Sequence, residues 1–587
     1  MFKLFKKLRA QDYCYLLICA GLIVLQVFLD LKLPEYMREI TKIVSGYGET
    51  VEMSKVWLIG GKMLGCAVGS LLAAAVTSVL AAKVSSSFGK NLRQSVYDKV
   101  EAFSLSEMKK FSISSLITRT TNDVQQVQQV TVMGIQMLIK APVMAIWTIV
   151  KVSSKAWQWS ISTAVAVGLI AIMLCAIIFV AVPRFKKMQK LTDNLNAATR
   201  ENLDGVRVIR AYNAEEYQEN KFEKANKELA HNNVVVDKTM AIMSPGMTFV
   251  SNGLQLAIYW IGAFLIGGAL GVEKLNLFSD MSVYITYAMQ IVSAFMMLMF
   301  IFMLLPRAIV SAKRINEILD EKLMLQDGDA AEESSSDPVV EFKNVSFKYP
   351  DAKENVIENV SFVAKKGETV AFIGSTGSGK STLINLIPRF YDATSGEILI
   401  DGINVKDYKQ KDLHNKIGYV PQKAVLFAGN IESNLNFGEG KQEITQQKID
   451  TAIEVAQAKS FIEQKEEKLN SSVAQNGTNF SGGQKQRLAI ARAIARDPEI
   501  YIFDDSFSAL DYKTDKVLRK ELKKYTDSAI TFIVAQRVGT IIEADKILVL
   551  DEGKVVGIGT HDELLKNCDV YREIAYSQLD QKELNNA

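Results

Sequence analysis

Histidine and cysteine are scarce in this chain, at three and five among 587 residues. The cysteines are Cys14, Cys19, Cys66, Cys175 and Cys568; none forms a C-x-x-C pair, and three lie in apolar runs. That pattern excludes a disulfide scaffold and a zinc site. Ten prolines and 35 glycines exclude a collagen-like or repeat-fibrous chain. A large excess of one charge is also missing. The net charge of +3 gives no overall case for nucleic acid as a partner. What the chain has in quantity is apolar sequence, 48% of its residues with a mean hydropathy of +0.09, so uniform disorder is excluded.

The apolar residues crowd the first half. Runs of span length occur near 13–33, 57–82, 129–151, 157–183, 245–271 and 281–306. Each reaches the ~20 helical residues needed to cross a hydrocarbon core of ~30 Å. A buried helix of a soluble protein keeps a polar face, and VGLIAIMLCAIIFVAVP (167–183) has none. Lys3, Lys6, Lys7 and Arg9 look like the start of a signal peptide. The run after them is too long, however, and LKLPEYM offers no small-residue cleavage site. Residues 1–10 are therefore expected to form a short amphipathic helix on the inner surface, before a retained first span. Lys and Arg concentrate between spans two and three (Lys83, Lys90, Arg93, Lys99, Lys109, Lys110, Arg119) and between spans four and five, from Arg184 to Lys238. By the positive-inside rule both long segments and both termini are cytoplasmic. These segments have helical spacing and almost no Pro or Gly, so they are expected to project ~30–40 Å from the bilayer as helical stalks.

The acidic, small-residue stretch 321–338 reads as a linker. Beyond it, short β-rich runs such as TVAFIG, EILIDG, IYIFDD and TFIVAQ alternate with amphipathic helices. That alternation indicates an α/β domain at 339–587. The division is thus 1–320 membrane domain, 321–338 linker and 339–587 soluble domain.

TVAFIGSTGSGKST (369–382) is a strand, a glycine-rich turn and a helix start matching G-x-x-x-x-G-K-[ST]. Its loop residues Gly374, Ser375, Thr376, Gly377, Ser378, Gly379, Lys380, Ser381 and Thr382 are the candidate phosphate cradle. Glycines let backbone N–H groups curl around phosphate oxygens. Lys380 reaches the β- and γ-phosphates, and the Ser381 hydroxyl can ligate Mg²⁺. EIYIFDDS (499–506) is a buried strand ending in Asp504, the candidate metal carboxylate. Between the two lies NFSGGQKQR (479–487), where Ser481, Gly482, Gly483 and Gln484 open a second helix suited to an anion.

With these motifs in place, the chain resembles the ATP-binding cassette (ABC) superfamily, and FSGGQ looks like its signature. The resemblance covers the whole chain and has the layout of bacterial exporter half-transporters of the multidrug and lipid export type. The implied fold is an α-helical six-span membrane domain with long cytoplasmic helical extensions. It is followed by an α/β P-loop ATPase domain with an antiparallel β subdomain and a helical subdomain. The implied cofactors are ATP and Mg²⁺. Tyr349, in FKYP, takes the place of the aromatic ring that stacks on adenine. Gln422, in YVPQ, falls in the Q-loop, which touches Mg²⁺, and Asp511, in SALD, ends the D-loop. FSISSLITRTTNDV (111–124) and GVRVIRAYNAEEYQENKF (205–222) resemble the two cytoplasmic loops whose tips dock on nucleotide domains, with tips expected near 111–118 and 212–219.

Two departures from the family pattern stand out. Asp505 occupies the place of the family's catalytic Glu, and Gln536 that of its switch His. The carboxylate at 505 sits about one methylene further back, and a misplacement of ~1 Å can cost ~10²-fold in rate. Gln536 can donate a hydrogen bond but cannot carry a proton. His231, His414 and His561 all fall elsewhere. A third, weaker departure is Gln475, where exporters often carry an acid. In the family each ATP lies between the P-loop of one domain and the signature of the other. The resemblance therefore implies a heterodimer in which this chain supplies a degenerate site and completes a competent one for a second half-transporter. Lipid and a small amphipathic substrate are the other implied partners. A nucleotide-gated or regulatory membrane ATPase, and a homodimeric lipid or peptide exporter, are the competing readings. The Met-rich sixth span suits promiscuous apolar contacts or a core- or lipid-facing wall. Lys140, inside span three, either faces a cavity or snorkels.

Overall fold

The computed structural model describes residues 1–44, 52–153, 157–330, 339–438 and 444–578. Residues 331–338, most of the expected linker, and the Met303 side chain lie outside the described residues. The chain forms two compact units: Met1–Glu101 with Ile113–Glu321, and Ala102–Ser112 with Lys322–Ala587.

In the first unit, six helices among the described residues are long and apolar enough to cross a membrane: Ala10–Val44, Met53–Glu101, Ile113–Ser153, Trp157–Asp204, Glu215–Gly267 and Val272–Leu319. Several far exceed a span. The 49 residues of Met53–Glu101 extend ~70 Å at ~1.5 Å per residue, over twice the hydrocarbon thickness. The polar segments after spans two and four thus continue their helices. Aromatic residues fill the bundle core: Trp159, Tyr284 and Tyr287 are almost fully buried, and Tyr284 pairs with Thr163 at 3.0 Å.

Polar links bind the far end of the first helix to its neighbours. Asp30 accepts from Ser70 at 2.5 Å and faces Lys140 at 3.7 Å. Glu35 pairs with Lys151 at 2.6 Å, Arg38 with Asp280 at 2.6 Å, and Tyr287 donates to the Leu31 carbonyl at 3.1 Å. Lys140 therefore has a charged partner within the bundle. In the sixth span Met281 and Met299 are buried in the core, whereas Met296 is exposed.

Three local expectations need correction. Residues 1–10 do not form one surface helix. Only Phe2–Phe5 is helical, Leu4 and Leu8 are buried, and Phe5 stacks on Phe88 at 5.5 Å, so the apolar side chains drive the segment into the bundle. The first loop tip is not at 111–118, because Ile113–Thr118 already begins the third long helix; the short tip helix is Leu105–Lys110. The second turn carries a short helix, Val206–Ala211, and Asn213 in a left-handed conformation, while residues from Glu215 onward already belong to the next long helix.

The second unit is built on a six-stranded sheet ordered Lys554–Gly559, Lys546–Asp551, Thr369–Gly374, Ile530–Val534, Ile500–Asp504, Ile417–Val420. All neighbours pair in parallel except the first two. Ile500–Asp504 and Ile530–Val534 are buried along their whole length, as a parallel sheet covered on both faces requires. One face carries the helical subdomain, including Gln446–Val455 and Gly482–Ala495. The other meets an antiparallel sheet of Ile357–Lys365, Val339–Phe347, Ser395–Ile400 and Ile403–Asn404, through Phe342, Phe362, Phe372 and Phe532. At the foot of the edge strand Ile417–Val420, fully buried Lys416 pairs with Asp401 at 2.9 Å and with Glu499, at the foot of the neighbouring Ile500–Asp504, at 2.8 Å.

Candidate nucleotide site

The carboxyl ends of the parallel strands gather the predicted site residues. The strand Thr369–Gly374 runs into a loop that requires glycine. Gly379 has φ +95°, and a Cβ there would lie 2.6 Å from Ile357 and 3.0 Å from the Val356 carbonyl. A larger side chain would collide with the strand beside the loop, so the backbone here requires glycine. Lys380 folds back over the loop, donating to the carbonyls of Gly374 at 2.9 Å and Ser375 at 2.7 Å. Burial lowers its pKa, and the nearby Asp505 and Asp504 carboxylates oppose that shift. At the helix start after the loop, Ser381 donates to Asp504 at 2.8 Å, joining the P-loop to the end of Ile500–Asp504. One hydroxyl and one carboxylate are hard oxygen ligands, which suits Mg²⁺ shared with phosphates. Among the described residues no group of three or more His, Cys, Asp and Glu could hold a metal by itself, so the donors here fit a metal–nucleotide complex and not a free-standing ion site.

Next to Asp504 the chain kinks. Asp505 has φ +47°, a left-handed conformation that Asp tolerates better than most residues. The kink turns its carboxylate toward two amides. Gln536 donates to Oδ2 at 2.8 Å and Gln422 to the same oxygen at 3.3 Å. A carboxylate only accepts, so the amide nitrogens face it. Both Asp504 and Asp505 are buried, and that burial raises their pKa above the ordinary Asp value, despite the hydrogen bonds that stabilise their charged forms. The Gly374–Thr382 loop, Asp504, Asp505 and Gln536 predicted for the site are thus contiguous.

Tyr349 lies beside this group, its hydroxyl 3.0 Å from Thr382 Oγ1. Phe347 and Tyr391 meet its ring at right angles, with centroids 4.9 and 5.4 Å away. The signature segment stands apart in its environment. Ser481 caps Gly482–Ala495 by accepting from the Gln484 N–H at 3.3 Å, while the Gln484 side chain accepts from the Ser481 N–H at 3.0 Å. Ser481 and Gly482 are exposed. Asp511 caps the following Tyr512–Tyr525 helix through Thr514.

Sequence reasoning missed Lys109, whose ammonium sits 4.4 Å from the centre of the Tyr349 ring, and Glu107, which places it. A signal for both was present: Ser104-x-x-Glu107 is a capping-box pattern that marks a helix beginning at 105.

The ABC transporter transmembrane region model matches residues 16–295, and the ABC transporter model matches residues 357–508. An uncharacterized ABC transporter ATP-binding protein of Mycobacterium tuberculosis is 38% identical over 493 residues, 83% of each chain. A putative multidrug export ATP-binding/permease protein of Bacillus subtilis is 32% identical over 500 residues, 82% of each chain. An ATP-dependent lipid A-core flippase of Pseudoalteromonas translucida is 30% identical over 494 residues, 83% of each chain. The solved structure of a bacterial Atm1-family ABC exporter with ATP bound has the same fold, with a TM-score of 0.81 at 22% identity over 98% of this chain and 100% of that one.

Proposed function

Because the chain belongs to the ABC transporter family, with transmembrane and ATP-binding domains in one polypeptide, we propose that it is one half of a heterodimeric exporter and that its own ATP site turns over slowly. ABC half-transporters function as dimers. The observation that carries the asymmetric reading is the Gln536–Asp505 hydrogen bond of 2.8 Å beside a complete phosphate cradle.

The cradle residues Gly374 to Thr382 would hold the triphosphate, with Tyr349 under the base and Ser381, Asp504 and Gln422 around Mg²⁺. ATP supplies the transferable γ-phosphoryl group when bound. Hydrolysis then needs a group to take a proton from the attacking water and a sensor for the γ-phosphate. Asp505 is the carboxylate at hand, with a shorter reach than Glu. One of its oxygens already accepts from two amides, and neither amide can take the proton onward. Gln536 meanwhile has one N–H committed to Asp505. Binding is favoured and the chemical step is handicapped.

The Ser481–Gly482–Gly483–Gln484 turn, exposed at Ser481 and Gly482, would complete the competent site, whose Walker residues come from the second half-transporter. The cargo is proposed to be amphipathic or hydrophobic, drug-like or lipid-like, leaving the cytoplasm or inner leaflet. The named flippase and multidrug relatives support that class. The distribution of Lys and Arg supports cytoplasmic termini, and the bacterial relatives support a bacterial plasma membrane.

The test is to purify the tagged chain from its native host and identify the half-transporter that accompanies it. Single-turnover chemistry with labelled ATP follows on that complex. One retained ATP and one hydrolysed ATP per heterodimer are expected. A homodimer that converts two ATP rapidly would overturn the proposal.

A further inference from the structure

The segment Ala102–Ser112 lies in sequence between two long helices of the membrane unit, yet it packs as part of the nucleotide-binding unit. Its short helix Leu105–Lys110 is firmly held. Glu107, only 2% exposed, accepts from the Met324 backbone N–H at 2.6 Å and closes a capping box with Ser104. Burial pushes the Glu107 carboxyl pKa up, but these hydrogen bonds outweigh burial and hold it below the ordinary Glu value. Phe103 stacks on Phe111 at 5.7 Å across the same turn.

That anchoring fixes where Lys109 reaches. Its ammonium lies 4.4 Å from the Tyr349 ring centroid and 5.6 Å from that of Tyr391. The Tyr349 ring is itself held by its hydroxyl contact with Thr382 and by the rings of Phe347 and Tyr391. Lys109 is exposed and Tyr349 half-buried, and the ammonium occupies one face of the ring.

We propose that Lys109 competes with the adenine ring for the open face of Tyr349, so that base binding displaces the ammonium and loosens the hold of the 102–112 turn on the nucleotide-binding unit. This rests on the reading of the unit as an ATP site. Lys109 is then a positioning residue whose place over Tyr349 depends on nucleotide occupancy. A cation on an exposed aromatic face contributes about two- to fivefold to an equilibrium constant, and base–aromatic stacking contributes more. Adenine therefore wins, at an affinity reduced by about two- to fivefold.

The experiment measures equilibrium binding of Mg²⁺–ATP, and of inorganic tripolyphosphate as a base-free probe, to the full-length chain in nanodiscs. The variants are Lys109→Ala, Lys109→Arg, Tyr349→Ala and the Lys109→Ala/Tyr349→Ala pair. Lys109→Ala is expected to bind ATP about two- to fivefold more tightly, with tripolyphosphate affinity unchanged. Lys109→Arg should keep the wild-type value, and the gain should vanish in the Tyr349→Ala background. Weaker or unchanged ATP binding in Lys109→Ala overturns the competition, as does an equal change for tripolyphosphate, which would place Lys109 on the phosphates. If wild type binds no more ATP than Lys380→Ala, the nucleotide-site reading itself fails and takes this proposal with it.

Discussion

Gln536 donates to Asp505 at 2.8 Å, joining the two residues at which the sequence is read as departing from the expected family pattern. The two departures are therefore one structural unit. A Gln amide is a donor matched to a carboxylate that is short and kinked back by a left-handed backbone, and the pair satisfies itself. What it lacks is a group that can accept a proton from that carboxylate.

If this site is the slow one, the signature turn matters more to turnover than Asp505 does. Ser481→Arg or Gly483→Asp should lower heterodimer ATPase by about 10²-fold or more, the scale set by displacing a reacting group by ~1 Å. Gly483 has little room: a Cβ there would lie 3.2 Å from the Ala509 carbonyl. Asp505→Asn should cost less than about threefold. Steady-state phosphate release from the purified complex decides between them. Abolition by Asp505→Asn would reverse the assignment of the two sites.

Lys380→Ala should weaken ATP binding by roughly 10- to 100-fold, the range for losing a charge-assisted hydrogen bond. Calorimetric titration of the full-length chain measures this directly. Undiminished affinity would show that the nucleotide does not use this loop.

Burial lifts the Asp504 and Asp505 pKa values above the ordinary Asp value of 3.8. The folded chain thus holds these protons more tightly than the unfolded one. Their stabilising contribution is full below pH 3.8, and it is lost as pH rises through the raised folded values. Asp505→Asn should therefore raise the melting temperature at pH 7 in EDTA without nucleotide, by about 2–4 °C for each ~1 kcal/mol relieved. The gain should shrink toward zero as the pH is lowered to the ordinary Asp range. A lower melting point for Asp505→Asn at pH 7 would contradict this.

Much of the molecule is written plainly in the sequence. The spans stand out because lipid tolerates no polar face, as in 167–183. The P-loop stands out because Gly379 is required by its left-handed backbone. Asp504 is marked by the buried strand before it. Harder to read were features that depend on packing. Phe5 goes inward because Phe88 is there to receive it. The loop tip falls at 105–110 and not at 111–118, because its capping box, Ser104 to Glu107, is a four-residue signal inside a long helical pattern. The meeting of Lys109 and Tyr349 joins residues far apart in the chain, a tertiary fact that no local pattern contains.

Lys416 illustrates a buried charge that positions the site from below. Its two carboxylate partners anchor the strand that delivers Asp504. Lys416→Met should destabilise the nucleotide-binding unit by about 3–5 kcal/mol, because Asp401 and Glu499 would lose their counter-charge. Burial lowers the Lys416 pKa, but the hydrogen bonds Lys416 donates to both carboxylates outweigh it and raise the pKa above 10.5, so this contribution is complete below that pH and fades as pH rises through the folded value. Chemical denaturation followed by circular dichroism measures it; a loss under ~1 kcal/mol would mean the triad is neutral to stability.

The most direct test of a silenced hydrolysis site is the Asp505→Glu/Gln536→His double variant, compared with wild type by single-turnover hydrolysis of labelled ATP bound to this chain's own P-loop. The expected result is equal ATP binding by both, slow conversion by wild type, and conversion at least ~10-fold faster in the double variant, the range a positioned acid–base group contributes. Rapid conversion by wild type, with no gain from the double variant, would contradict it.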